Sequence, residues 1–226
     1  MKGISARVIK LGGSLLEWTE WVAAFRRWFA GQPAMPSVLI VGGGKLADAI
    51  RQWDRVHHLD ASDAHWLAIG AMSLTARLSR RLLAEAEWTD DWSRVAEFIA
   101  DPAQSLLIFD PMNFLRSVES SAAGEPLPRG WEVTSDSIAA RIAGLLRCRE
   151  LVLLKSSLPA KGPTTLERLA EEHFVDRRFP QFAAALSLVR LVNLRDGEFA
   201  EVAIQCGVGC VERSADAPGE RPNCCD

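Results

Sequence analysis

Tyrosine is missing from this chain of 226 residues, while tryptophan occurs eight times; the indoles are suited to core or pocket walls and identify no chemistry by themselves. No apolar run approaches the ~18–20 residues of a membrane span, so no transmembrane helix is expected. Charge of one sign is also lacking. The 26 basic and 29 acidic residues are intermixed and sum to −3, which argues against a nucleic-acid partner. A small anionic substrate then requires local lysines to focus the field. Cysteine is sparse and odd in number, five in all, which reads as reduced thiols in a cytoplasmic protein. Met1-Lys2-Gly3-Ile4 runs directly into the first strand, with no signal peptide expected before it. The chain contains no G-x-x-x-x-G-K-S/T, no H-E-x-x-H and no recognisable Ser/His/Asp elbow, which disfavours P-loop enzymes, zinc peptidases and serine hydrolases.

What is present is an alternation of short apolar strands and amphipathic helices. With 48% hydrophobic residues the chain can build one sizeable core, expected over residues 1–213. Residues 214–226 are polar and rich in Pro and Gly, and read as a loose tail. Strands are predicted at Val8–Leu11, Val38–Val41, Ser105–Phe109, Leu151–Leu154, Val189–Leu194 and Val202–Ile204. Leu16, Trp21, Val22, Phe25, Trp28 and Phe29 recur at helical spacing up to Gly31. A second helix carries Leu46, Ala49, Ile50 and Trp53. A long helix is predicted from about Ser62 to Glu87, with Asp60 or Ser62 as N-cap. Residues 117–131 read as a loop, and Thr164-x-x-Glu167 as a capping box. This order predicts an α/β fold with a parallel or mostly parallel sheet covered by helices on both faces.

Two glycine-rich turns follow strands directly: Lys10-Leu11-Gly12-Gly13-Ser14 and Gly42-Gly43-Gly44-Lys45. A strand–glycine–helix unit is an anion cradle, because glycine lets backbone N–H groups approach a ligand. Two such cradles, one with a lysine at its mouth, suit two phosphates held face to face. Lys10 lies in an otherwise apolar strand, so its ammonium must reach a partner, and a phosphate at the strand's carboxyl end is the natural one; the plain alternative is a lysine that snorkels to water. Lys155 ends another apolar strand, and Lys161 follows in a Gly/Pro loop. Asp136, flanked by Ser135 and Ser137, opens a helix, where a carboxylate either caps the helix or orients nearby lysines. His65 and Met72 lie two turns apart on the long helix. Gly42–Ala47 also fits G-x-G-x-x-A, with Asp60 or Asp63 as a passable ribose acid, which keeps an NAD-binding Rossmann enzyme as an alternative. Cys206, Cys210, Cys224 and Cys225 are poorly spaced for zinc, and no side chain is assigned to a metal.

With these residues in hand, the chain resembles the amino acid kinase superfamily, to which acetylglutamate kinase, aspartokinase, uridylate kinase and isopentenyl phosphate kinase belong. The resemblance rests on Lys10–Ser14, Gly42–Gly44 and Thr134-Ser135-Asp136-Ser137-Ile138-Ala139-Ala140, in that order, over roughly residues 6–210. Ala64–Ile69 and Leu127–Ser137 look most like its compact branch around the aminomethylfuran-methanol phosphate kinase. The resemblance implies a three-layer αβα sandwich, ATP and Mg²⁺ as cofactors, an anionic small-molecule acceptor such as a phosphate monoester, and a homo-oligomer. It puts Lys10, the amides of Gly12 and Gly13, Ser14, Lys155 and Lys161 on the ATP side. Gly42, Gly43, Gly44, His65, Met72 and Ser135 fall on the acceptor side, and Asp136 organises the lysines. Two family segments, G-G-M-x-x-K and D-G-V-Y, are missing, so the second catalytic lysine is either Lys155 or Lys161. A binding protein without turnover on the same scaffold is the competing reading.

Overall fold

Period-two alternation in the central strand decides which residues can meet. In the computed structural model, which describes residues 4–160 and 164–206, β1 (Ile4–Leu11) runs parallel between β2 (Ser37–Val41) and β5 (Cys148–Lys155). One edge is completed by β3 (Glu87–Thr89) and β4 (Leu106–Phe109), the other by β6 (Leu188–Asn193) and β7 (Glu201–Gln205). The order is β3-β4-β2-β1-β5-β6-β7, parallel throughout except for the antiparallel β7. The inner strands are apolar on both faces, as a sheet covered on two sides requires.

The two faces form separate cores, giving an αβα sandwich. Ile9, Leu11, Leu39, Val41, Val152 and Leu154 pack under α1 (Trp21–Ala30), which buries Trp21, Phe25 and Trp28. At ~150–250 Å² per aromatic side chain, these three rings contribute several kcal/mol of apolar burial. Val8, Val38, Ile40, Leu151 and Leu153 face the other layer. That layer holds α4 (Trp92–Ala100), α5 (Met112–Ser117), α6 (Ser135–Leu145) and α8 (Phe179–Ala183). Lys10 shares the parity of Val8, and Lys155 that of Leu151 and Leu153. Both lysines therefore emerge on the face that α6 covers.

Several sequence expectations need correction. The long helix, α3 (Ala61–Leu82), stops short of Glu87, because Glu87–Thr89 pairs with β4 as an edge strand. Apolar spacing running on through Leu83 hid that break. Asp60 is the N-cap residue of α3 but makes no side-chain capping bond. Helices α4 and α5 went unread. Leu16 belongs to a 3-10 turn, Gly13–Glu17, rather than to α1. The helix at 166, α7 (Leu166–Glu171), is capped by Thr165, which accepts from the Arg168 N–H, and not by Thr164. The loop at 117–131 contains a 3-10 turn, Glu119–Ser121, whose buried Glu119 pairs with Arg141 at 3.0 Å. α2 (Gly44–His57) is amphipathic as expected, with Ile50 buried. The tail 214–226, Cys210, Cys224, Cys225 and Lys161 lie outside the described residues.

Candidate active site

Three ionic side chains converge where β1 and β5 end. The Lys10 ammonium lies 2.8 Å from one Asp136 oxygen, with the two side chains 6% and 7% exposed. Lys155 donates to both Asp136 oxygens at 3.0 and 2.9 Å and to the Phe174 carbonyl at 2.6 Å. Strand register makes this possible: Lys10 sits beside Leu153, and Lys155 lies on the same face one strand over. α6 brings Asp136 to both. Its N-cap Thr134 accepts from the Asp136 N–H at 3.4 Å.

Burial by itself would raise the Asp136 carboxyl, but the two ammonium groups outweigh it and hold the group at about 2. Lys155 is pushed down to about 8, chiefly by burial and also by Lys10, against the pull of Asp136. The Lys155 charge is therefore lost in the mildly alkaline range. If Lys155 serves to neutralise phosphate oxygens, kcat/KM falls above about pH 8 in a pH–rate profile. A flat profile up to the usual lysine range would remove Lys155 from that role.

The two glycine turns touch. A Cβ on Gly13 would overlap the Gly44 backbone nitrogen, and Gly44 itself has a left-handed φ of +56°. A side chain on Gly42 would come within 2.9 Å of the Ser135 hydroxyl. Not every glycine amide is free. The Gly12 N–H donates to the Leu154 carbonyl at 2.9 Å, and the Gly42 N–H to Leu11 at 3.0 Å. Gly12 therefore has no amide to offer a phosphate, contrary to the sequence expectation; its lost Cβ lets β5 approach instead. The first amides of a helix have no intrahelical acceptor, and Gly43 and Gly44, at the start of α2, line the cavity described below. Lys45 does not guard the cradle: it turns away to Glu17 at 2.7 Å, and its side chain is 78% exposed. The Ser14 hydroxyl lies 3.4 Å from that of Ser156.

A cavity of about 210 Å³ opens on the α2/α3 side of the triad. It is lined by Gly42, Gly43, Gly44, His65, Met72 and Ser135, expected on the acceptor side, and also by Gly13 and Ser14, expected on the ATP side. Arg51, Asp48 and Trp131 also line it and were missed. Gly44, Ala47, Asp48 and Arg51 follow an i, i+3, i+4, i+7 rhythm, a signal that was available. Arg51 pairs with Asp48 at 2.8 Å and lies over the Trp131 ring at 4.8 Å. The indole N–H of Trp131 donates to Asp54 at 2.7 Å. Burial lowers the His65 pKa, and His65 packs edge-on against Trp66. A second, larger cavity of about 590 Å³ lies across the start of α6, lined by Asp136, His173, Phe174, Asp176 and Arg177. Of its walls the sequence motifs pointed to Thr134 and Asp136; nothing in the sequence marked residues 173–177.

A parallel sheet with touching glycine turns and a Lys–Asp–Lys triad at the strand ends defines a phosphate-handling α/β domain. The chain belongs to the amino acid kinase family, whose pattern matches residues 5–157. It is 26% identical over 148 residues to the [5-(aminomethyl)furan-3-yl]methyl phosphate kinase of Methanocaldococcus jannaschii, covering 65% of this chain and 63% of that one. The chain thus spans under two thirds of that relative's length. The fold matches the UMP kinase of Bacillus anthracis with a TM-score of 0.55 at 12% identity, over 87% of this chain and 90% of that one. It matches the UMP kinase of Ureaplasma parvum with a TM-score of 0.53 at 11% identity, over 83% and 88%. Among the described residues no helix is long and apolar enough to cross a membrane.

Proposed function

We propose that the protein is an ATP-dependent kinase that transfers the γ-phosphoryl group to a phosphate monoester, an aminomethylfuran-methanol phosphate being the candidate acceptor by similarity to the methanococcal enzyme. The observation that carries this reading is the buried Lys10–Asp136–Lys155 triad, whose Asp136 lines the larger cavity while the adjacent Ser135 lines the smaller. The smaller cavity, with Arg51 on its wall, takes the acceptor; the larger takes the nucleotide. A phosphate monoester is largely ionised at pH 7, its second pKa being about 6, so it attacks without a general base. An acceptor phosphate oxygen bonds to the γ-phosphorus while the bond to the β–γ bridging oxygen breaks, and ADP leaves. Lys10 and Lys155 neutralise the oxygens of the transferring and leaving groups, and Asp136 keeps both ammoniums in place. Mg²⁺, if bound with ATP, would supply further positive charge for the phosphate oxygens, while Asp136 holds the two lysines.

The test is an ADP-release screen with phosphate, carboxylate and hydroxyl acceptors, aminomethylfuran-methanol phosphate among them. Turnover confined to phosphomonoesters is expected. Tight ATP binding with no ADP from any acceptor would replace this reading with the binding-protein one. A reducing, cytoplasmic setting suits the free buried thiols Cys148 and Cys206.

The homo-oligomer is supported by an uncovered apolar face. α2 and α3 pack together and expose Leu46, Trp53, Val56, Leu67, Leu74, Leu78 and Leu82, each between 40% and 63%. That amounts to on the order of 700 Å², close to the ~800 Å² per partner of a stable interface. The occupant we assign is a second copy of the chain. Light scattering is expected to give a dimer that the double substitution Trp53→Glu, Leu74→Glu converts to monomer; a wild-type monomer at high micromolar concentration would refute it.

A further inference from the structure

One stretch of chain, Phe174 to Phe179, holds both halves of the triad. The Phe174 carbonyl accepts from Lys155 at 2.6 Å. Two residues on, the Asp176 carboxylate accepts from six donors drawn from two separate turns. One oxygen takes the Thr134 N–H at 2.9 Å, the Thr134 hydroxyl at 2.8 Å and the Ser137 N–H at 3.0 Å. The other takes the Ser137 hydroxyl and the N–H groups of Arg178 at 3.1 Å and Phe179 at 3.0 Å. Thr134 and Ser137 bracket Ser135 and Asp136 at the start of α6. The carboxylate therefore ties the turn that carries Asp136 to the turn that holds Lys155.

We infer that Asp176 is a positioning residue for phosphoryl transfer, setting the distance between Asp136 and Lys155 by clamping the start of α6 to the 174–179 turn. The role rests on the kinase reading above. Each of the six donors fixes a direction, so the clamp admits little play. A carboxylate is needed, because all six groups donate and an amide would present a donor to three of them. Its charge matters as well. Lys155 is faced by Asp136, Lys10 and Asp176, and of these Asp136 and Asp176 favour its protonated form. Two lysines and two carboxylates then leave the cluster neutral before ATP arrives. The 174–179 turn also walls the larger cavity, so nucleotide seated there presses on the same element that fixes the lysine.

The discriminating variant is Asp176→Asn, compared with the wild-type full-length protein. Expected is a fall in kcat of roughly 10- to 100-fold with KM for ATP and acceptor nearly unchanged, as for a misplaced reacting group. The alkaline limb of kcat/KM is expected to move to lower pH. Asp176→Glu, which keeps the charge and loses the fit, is expected to restore the limb but not kcat. A second readout needs no turnover: the chain has five lysines, so the Lys155 side-chain resonance is assignable with Lys155→Arg, and its titration in ligand-free protein should shift down in Asp176→Asn. If the wild type turns over no acceptor, the kinase reading fails while this titration still judges the clamp. Should Asp176→Asn not fold, Ser137→Ala removes one bond and keeps the charge; several-fold lower kcat at unchanged KM, or a shifted Lys155 resonance, is expected. A lowered melting temperature with wild-type kcat, pH limb and lysine titration would reduce Asp176 to a structural staple and overturn the inference.

Discussion

Lys10→Ala abolishes ATP-dependent ADP release, by on the order of 10³-fold or more, while the protein still folds. The loss follows from where the ammonium sits. It lies buried at the end of β1, beside Asp136 and next to the glycine turns, where the proposed reaction needs a cation for the phosphate oxygens. Charges act more strongly in such a site than in solution. Folding tolerates the change because Asp136 keeps Lys155, at 2.9 Å, so a neutral pair remains rather than a bare charge. Kinetics and a urea melt on the same preparation check both halves. Full activity in the variant would sink the kinase assignment.

Asp136→Asn has the opposite balance, with stability suffering as much as activity. The substitution leaves Lys10 and Lys155 facing each other across a buried site with no anion between them. Breaking a buried ion cluster by deleting the acid that both lysines contact costs roughly 3–5 kcal/mol. The acid dependence gives a second handle. Asp136 is held at about 2 in the folded protein, below its ordinary value of 3.8. A depressed carboxyl stabilises the fold above its unfolded value and loses that contribution as pH falls through the folded one. The window is therefore about pH 4 down to 2, and the contribution about 2 kcal/mol. Wild-type stability should drop across that window more steeply than that of Asp136→Asn. Equal urea midpoints at pH 7 would show that the triad contributes nothing to the fold.

The alternation of strands and helices was readable because each apolar run obeys a local period, and the glycine turns because only glycine permits such close backbone approach. Reading failed where the deciding partner lay far along the chain. Glu87–Thr89 is too short to announce itself and is a strand only because β4 is there to pair with it. The family resemblance marks the Gly12 amide as a phosphate donor, yet the neighbouring strand β5 claims it. Lys45 was placed at a cradle, although its first helical turn points it to Glu17. Arg51 was legible in the rhythm of α2 and was passed over. Asp176 carries no motif at all; its importance lies in six donors drawn from two separate turns.

By itself the sequence determined the α/β class, the two glycine turns and the placing of Lys10 and Lys155 near the ends of apolar strands. Those are short-range properties, written in spacings of two to four residues. Tertiary structure alone decided that Lys10 and Lys155 share a face, that Asp136 meets both ammoniums, that one glycine amide is spent inside the sheet, and that two cavities adjoin the start of α6. Such facts depend on strand order and on which helix covers which face. They are set by burying the whole core at once, and no local pattern records them.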